Sequence, residues 1–144
     1  MARTDPFRNF RFRVEIDGIQ TAGFSEVEAL ATTTDVIEYR EGTDPAHPRK
    51  LSGLTRYGNI TLKRGMTQSL ELYQWYRQIV SGPLTGNRRR VAIVVQDESG
   101  ADVARFEVIE AWPVKYVVSG LTAKGNEVLI ELLELANEGI ERVS

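Results

Sequence analysis

The sequence contains no cysteine, which excludes disulfide bonds and thiolate metal sites. It has 18 Lys and Arg against 20 Asp and Glu, so the formal charge is only -2 at pH 7. A chain this close to neutrality lacks the broad basic surface that nucleic acids or anionic membranes attract. No apolar run approaches the length of a signal peptide core or a membrane span, which predicts a protein that folds in the cytosol.

Catalytic groups are equally scarce. The single histidine, His47, lies between Pro45 and Pro48, where it has no neighbouring partner to orient it as a base. The arginine run Arg88–Arg90 precedes a very apolar stretch and is better explained as a set of charged gatekeepers than as a phosphate site. Carboxylates are abundant but show no metal-ligand spacing. We therefore expect neither an enzyme, nor a cofactor, nor a metal site.

The remaining patterns predict a mainly β protein with one helix, in a single domain spanning residues 1–144. Strict alternation in Phe10–Asp17 indicates a strand with one buried face, and Ala22–Leu30, Thr34–Arg40 and Gly58–Gly65 are further β candidates. A helix is predicted over residues 67–80, because Leu72, Trp75, Tyr76 and Ile79 form an apolar stripe at helical spacing. Thr67 is its expected N-cap.

Two later segments carry further signals. The stretch Arg88–Gln96 is apolar at almost every position, which is typical of a strand covered on both faces, and Asp97–Gly100 should turn it into a hairpin. Alternation then breaks near Val108–Ile109, which predicts a β-bulge there. The C-terminal glutamates Glu127, Glu131, Glu134 and Glu138 recur at helical spacing, so periodicity alone favours a helix in a segment that a period-two pattern also fits.

The connection Arg40–Tyr57 is the most unusual feature. It runs for eighteen residues with two prolines and two glycines and shows no sustained periodicity. Loops of this length inside a compact domain are usually functional or disordered. Its large apolar side chains, Leu51, Leu54 and Tyr57, are too few to offset the entropy of ordering it. The segment should therefore be mobile in an isolated subunit.

Several blocks resemble one known family. They are Asp5–Gly18, Ala22–Leu30, Ile37–Gly65, Glu110–Tyr116 and Lys124–Val143. Together they resemble the tail tube proteins of contractile phages and the inner tube proteins of related contractile injection systems.

That resemblance implies a compact β-barrel or sandwich with one flanking helix and a long extended loop over residues 40–57. It also implies that the C-terminal segment is a strand rather than a helix. Six copies would form a ring, and the rings would stack into a hollow tube that conducts DNA or an effector. Assembly would take place in the bacterial cytoplasm, and the product would be part of a phage tail or an injection particle.

The resemblance also suggests contacts and partners. Ordering of the long loop would be coupled to binding of a neighbouring subunit. The expected contacts between subunits and rings are Glu41, Asp44, Pro45, His47, Arg49, Lys50, Leu51, Leu54, Arg56 and Tyr57. Acidic residues, namely Asp97, Glu98, Glu127 and Glu131, are expected on the inner wall, because a conduit should not retain phosphate. A sheath around the tube, and baseplate, spike and terminator proteins at its ends, would be the other partners; no membrane insertion is expected.

Two alternatives remain at this point. The chain could be a secreted hexameric ring of the type VI secretion class, although the blocks Glu38–Pro45 and Tyr57–Gly65 point away from it. It could also be a monomeric β-barrel that binds a small ligand, which light scattering would separate from a self-assembling subunit.

Overall fold

The computed structural model describes residues 11–17, 23–28, 30–43, 46–82, 87–120 and 128–144. Within these ranges the chain forms nine strands and one helix. In chain order they are β1 (Phe12–Ile16), β2 (Phe24–Val27), β3 (Thr32–Tyr39), β4 (Arg49–Tyr57), β5 (Ile60–Gly65), α1 (Glu71–Ser81), β6 (Arg89–Gln96), β7 (Asp102–Val118), β8 (Ile130–Ala136) and β9 (Gly139–Arg142). The expected mainly β fold with one helix is confirmed.

Seven of these strands form one antiparallel sheet in the order β1-β6-β7-β8-β5-β2, with β9 continuing beside β7. The sheet ends at β1 and β2, so the described strands do not close into a barrel. Strands β3 and β4 pair only with each other, in a separate two-stranded sheet. The barrel that the resemblance allowed is thus corrected to an open sheet carrying a separate hairpin.

Alternating side chains supply the core. Val14 and Ile16 of β1 point inward, as their spacing predicts, and pack with residues of β5, β6 and β8. In β6 the four consecutive residues Val91–Val94 are all buried, so this strand is covered on both faces as expected. The apolar stripe of α1 contributes Leu72 and Trp75, both almost completely buried.

The helix is shorter than predicted at its start. It begins at Glu71, follows Leu70 as the N-cap residue and has no side-chain cap, so the expected capping by Thr67 is wrong. The hydroxyl of Thr67 instead accepts a hydrogen bond from the Ser69 amide, at 3.2 Å, in the turn before the helix. Just past the helix, a Cβ at Gly82 would lie 2.4 Å from the Gln78 carbonyl oxygen, so that position requires glycine.

The predicted bulge in β7 is present. Arg89 pairs with Ala111 while Val91 pairs with Val108, which leaves one extra residue on β7. Glu110 absorbs it with a positive φ of 53°, and the side chains of Val108 and Ala111 both reach the core. The bulge therefore corrects the phase of the strand, as the broken alternation indicated.

The C-terminal segment is β8 followed by β9, and the helix favoured by periodicity alone is wrong. Leu133 and Leu135 are buried against the core while their neighbours Leu132, Glu134 and Ala136 are half-exposed, which is the period of a strand. The strand expected from the resemblance is confirmed.

A buried ion pair joins β5 to β8. Arg64 and Glu131 are register partners, are 3% and 2% exposed, and lie 2.5 Å apart from Nε to Oε1. The Tyr116 hydroxyl donates to the other carboxylate oxygen at 2.6 Å, and the guanidinium lies over the Phe24 ring. In the part of the chain that the structure describes, the buried Nη2 of Arg64 has no hydrogen-bond partner. These contacts fix the register of β5 against β8 in an otherwise apolar region.

Replacing one partner of this pair should be costly. Glu131→Ala leaves a buried guanidinium without a counter-charge, and we expect the free energy of unfolding to fall by about 3–5 kcal/mol. The matched control is Arg64→Met combined with Glu131→Leu, which removes both charges and should cost much less. Urea denaturation measures both. A single substitution as mild as the double one would show that charge compensation does not matter here.

Titration of Tyr116 should affect the free energy of unfolding at alkaline pH. Burial, together with the hydrogen bond to Glu131, raises the pKa of Tyr116 from 10.0 to about 12. Because the folded-state pKa is the higher one, its stabilisation is complete below pH 10 and is lost between pH 10 and pH 12. We expect Tyr116→Phe to lose less unfolding free energy than the unmodified chain over this interval. Identical losses in the two proteins would contradict the assignment.

Candidate functional site

The hairpin of β3 and β4, residues 32–57, stands apart from the core; we call it the arm. Its two strands pair from Thr32 with Tyr57 to Tyr39 with Arg49. None of the described residues in these strands is buried. The base is tied to the body, because the Gly58 amide donates to the Ala31 carbonyl and the Asn137 side chain donates to the Gly58 carbonyl, at 2.9 and 3.0 Å.

Half of the expected long loop is therefore a strand. Residues 49–57 form β4, and a regular ladder with β3 satisfies their backbone groups, so the expectation of an unstructured segment is wrong for this part. The sequence did not indicate β4 as a strand, because Ser52, Gly53 and Thr55 interrupt any apolar alternation. The expectation of too little burial is supported, since Leu51 and Leu54 remain 49% and 72% exposed.

The ladder gives the arm two different faces. One face carries Ile37, Tyr39, Leu51 and Leu54, whose side chains are between 43% and 72% exposed. Ile37 and Leu51 are direct cross-strand partners. A register shift between Thr34 and Val36 leaves an extra residue on β4, at Gly53–Leu54, which brings Leu54 to the same side. We call these four side chains the apolar face.

Gly53 makes this face possible. A Cβ at this position would lie 3.1 Å from Cγ1 and 3.2 Å from Cδ1 of Ile37, and 3.3 Å from Cβ of Asp35. The absence of a side chain lets Ile37 lie flat across the strand pair. The result is a continuous apolar surface rather than a row of separate side chains.

Polar contacts hold the arm in shape. Arg56 and Asp35 form an ion pair at 3.3 Å, and the Thr34 and Thr55 hydroxyls hydrogen-bond across the opposite face at 3.0 Å. Tyr39 donates a hydrogen bond to Glu41, which raises the pKa of the Tyr39 phenol. Because these contacts lie within the hairpin, they order the arm without covering its apolar face.

The structure places most of the predicted contact residues on this arm. Leu51 and Leu54 belong to its apolar face, and Arg49 lies opposite Tyr39 on the same side. The remaining described members are exposed or half-exposed along the hairpin: Glu41, His47, Lys50, Arg56 and Tyr57. Asp44 and Pro45 lie outside the described residues.

Sequence reasoning missed the β3 half of the face, Ile37 and Tyr39. The alternation of Thr34–Arg40 indicated a strand, but nothing in it indicated that the strand would lack cover. Exposure of this kind depends on where the rest of the sheet lies. Only the separation of β3 from the main sheet reveals it.

The residues expected on the inner wall are scattered. Asp97 and Glu98 are exposed in the turn between β6 and β7, where the Asp97 carboxylate accepts hydrogen bonds from the Ser99 hydroxyl and amide and the Ala101 amide. The Ser99 hydroxyl is the main cause of the lowered pKa of Asp97. Glu131 is buried in its ion pair with Arg64, so its carboxylate is not on the subunit surface, contrary to expectation. Glu127 lies outside the described residues.

The side chains of the basic run Arg88–Arg90 also make contacts within the subunit. Arg88 pairs with Glu138 at 2.6 Å, and Arg90 pairs with Glu107 at 3.4 Å. Arg89 donates to the Asp17 carbonyl oxygen and lies over the Trp75 ring. The run therefore anchors strand ends and the helix rather than presenting an anion site.

Among the described residues no group of His, Asp or Glu is arranged to hold a metal ion. A search of those residues also found no helix with the length and apolar character needed to cross a membrane.

Comparison with known proteins points to one family. A family model described as T4-like virus tail tube protein gp19 matches residues 8–141. No curated protein sequence matches the chain significantly.

Solved structures show the same fold. The tube-terminating cap of the anti-feeding prophage superimposes with a TM-score of 0.87 at 24% identity, covering 100% of this chain and 95% of that one. A chain of the PVC sheath–tube complex, from an extracellular contractile injection system, gives 0.82 at 25% identity, with 96% and 92% covered. Hcp1 from Flavobacterium johnsoniae gives 0.55 at 20% identity, with 91% and 93% covered.

The apolar face should contribute little to the stability of an isolated subunit. We expect Leu54→Ala to change the free energy of unfolding by less than about 0.5 kcal/mol, because its side chain is exposed. The same substitution in the core, Leu62→Ala, should cost about 2–5 kcal/mol. Urea denaturation of unassembled protein makes the comparison. Comparable losses at both positions would mean that the arm folds back onto its own body.

Proposed function

Because residues 8–141 match its model, the chain belongs to the T4-like virus tail tube protein gp19 family, and we propose that it builds the inner tube of a contractile tail or injection system. In this proposal six copies form a ring, and rings stack into a hollow conduit for DNA or effectors. The protein is structural rather than catalytic. Its arm makes the contacts between subunits and rings.

One observation carries the proposal most directly: the apolar face of the arm is formed, yet its side chains remain 43–72% exposed. Full burial of a large apolar side chain contributes about 1.5–3 kcal/mol, and these four forgo roughly half of it in the free subunit. A neighbouring copy can supply the missing surface. If that contact is heterologous, it repeats without closing, which is the geometry of a tube.

The arm is already ordered before it binds a neighbour, which lowers the entropic cost of the contact. The ladder and the Arg56–Asp35 ion pair order the hairpin before a neighbour arrives. Little backbone entropy is then lost on assembly, so more of the burial energy appears as binding. The charged residues flanking the face, including Arg49 and Lys50, set the register of the contact.

The remaining partners follow from the same assignment. The similar structures come from assemblies whose names include a baseplate, a sheath and a terminating cap. We assign equivalent partners to this chain: a sheath around the tube, and baseplate or spike and terminator proteins at its ends. Cargo passes without specific binding, and the exposed Asp97 and Glu98 contribute to the inner wall. Assembly takes place in the bacterial cytoplasm.

A type VI secretion ring is the second candidate. Its support is the shared fold, seen in Hcp1 at a TM-score of 0.55 and in a type six secretion system protein at 0.62. Similarity to the chains from contractile injection systems, at 0.82 and 0.87, is greater. Electron microscopy distinguishes the two, because a ring protein of the second kind need not form long stable tubes by itself.

Removing the distal arm should abolish tubes without unfolding the subunit. Deletion of Thr43–Lys50 takes away the tip and the start of β4, while the core lies entirely outside the arm. We expect a folded protein by circular dichroism and no tubes by negative-stain electron microscopy. The matched control, Ser52→Ala with Thr55→Ala, changes the opposite face of the arm and should leave tubes intact. Tubes of normal length from the deletion variant would reject the assignment.

A further inference from the structure

A second exposed apolar surface lies at the start of the helix. It consists of five side chains between 37% and 59% exposed: Met66, Leu70, Tyr73, Val118 and Leu129. We call it the shelf. It comes from four separate parts of the chain, namely the end of β5, the start of α1, the end of β7 and the residues before β8.

The shelf is continuous. Leu70 and Tyr73 are one helical turn apart, and the Tyr73 ring packs edge-on against Tyr116 with centroids 5.4 Å apart. Val118 follows Tyr116 by two positions on the same face of β7. On the other side, the Met66 amide donates to the Leu129 carbonyl at 2.8 Å, and Val118 pairs with Glu131, two residues beyond Leu129.

The shelf lies next to the buried ion pair of Arg64 and Glu131. Glu131 shares a strand face with Leu129, and its carboxylate is fixed by Arg64 and by Tyr116. Met66, Val118 and Leu129 of the shelf therefore sit at strand ends that the buried pair holds in register. An apolar surface mounted on a fixed base suits docking better than one on a mobile loop.

We infer that the shelf of one copy receives the apolar face of the arm of a copy in the next ring. This inference rests on the proposed tube function and identifies the surface to which the arm binds. The arm and the shelf account for most of the large apolar side chains exposed in the described ranges. A single contact type between copies covers both surfaces.

Chemistry and size favour this pairing. The arm offers Leu51 and Leu54 of β4 with Ile37 and Tyr39, and the shelf offers Tyr73 among aliphatic side chains and a methionine, so both surfaces are apolar and have four and five exposed side chains. Arg49 lies beside the apolar face and Glu71 lies next to Leu70, which places opposite charges at the two rims. Charges arranged in this way set orientation.

The geometry explains continued growth. Binding of arm to shelf uses different surfaces on the two partners, so each added copy still presents the surface it has not used. About five residues a side is well below the 20–30 of a standard interface, and one contact alone should be weak. A ring multiplies the contact by its number of copies, which raises the effective concentration of each remaining contact.

Cysteine pairing tests the inference directly, since the chain has no cysteine of its own. Leu51→Cys places a thiol on the apolar face, and Leu70→Cys places one on the shelf. The two variants are mixed, assembled and oxidised, and covalent dimers are identified by mass spectrometry. We expect mixed dimers joined through positions 51 and 70 to dominate. The control pairs Leu51→Cys with Val80→Cys, an exposed position at the other end of the helix, and should give at least tenfold less mixed dimer.

The outcomes separate the inference from the function it rests on. Tubes that yield mainly dimers joined through 51 and 51, or equal amounts with position 80, would overturn the arm–shelf contact while leaving the tube intact. Absence of rings and tubes from the unmodified protein would instead reject the proposed function and the inference together.

Charged blocking variants give a second test. Leu51→Glu with Leu54→Glu blocks the arm, and Leu70→Glu with Leu129→Glu blocks the shelf. Each variant alone should stop at single rings, because one half of every contact is lost. Rings of the two variants, assembled separately and then mixed, should form pairs of rings and no longer stacks, because one ring has only intact arms and the other only intact shelves. Full tubes from the shelf variant alone, or a mixture without paired rings, would overturn the inference.

Discussion

The arm presents an apolar face that its own subunit leaves 43–72% exposed, and the assembly that we propose follows from this exposure. Backbone pairing between β3 and β4 satisfies the hydrogen-bonding groups of the hairpin, yet it cannot cover Ile37, Tyr39, Leu51 and Leu54. Gly53 shapes the surface by letting Ile37 cross the strand pair. A hairpin alone is marginally stable in water, so the connections at its base and the ion pair along it are needed to present the face in one arrangement.

The body of the subunit is packed separately from the arm. Its core is formed by the open sheet and by Leu72 and Trp75 of the helix, and it includes none of the arm strands. The ion pair between Arg64 and Glu131 fixes two central strands against each other where apolar side chains alone would allow slippage. Because the core contains no arm residue, the assembly that we propose covers the arm without altering the core.

Local patterns predicted much of this body. The alternation in β1, the doubly covered β6 and the bulge in β7 all follow from the order of apolar residues, because a strand exposes alternate side chains to fixed sides. The helix was predicted from its stripe, but its start was not, since Leu70 takes the N-cap position without any capping side chain. Periodicity failed in the last segment because its glutamates recur at helical spacing while its apolar residues also fit a period of two; the resemblance to a known family favoured the strand.

The amino-acid order alone establishes the class of fold, the near-neutral charge, the absence of thiol chemistry and an unusual segment after the third strand. It could not determine which faces stay exposed. Glu131 resembles a surface glutamate in the sequence and is buried, whereas Ile37 resembles a core residue and is exposed. Only tertiary structure decided these, because burial depends on which distant element covers a face. Local spacing records only the directions in which side chains point.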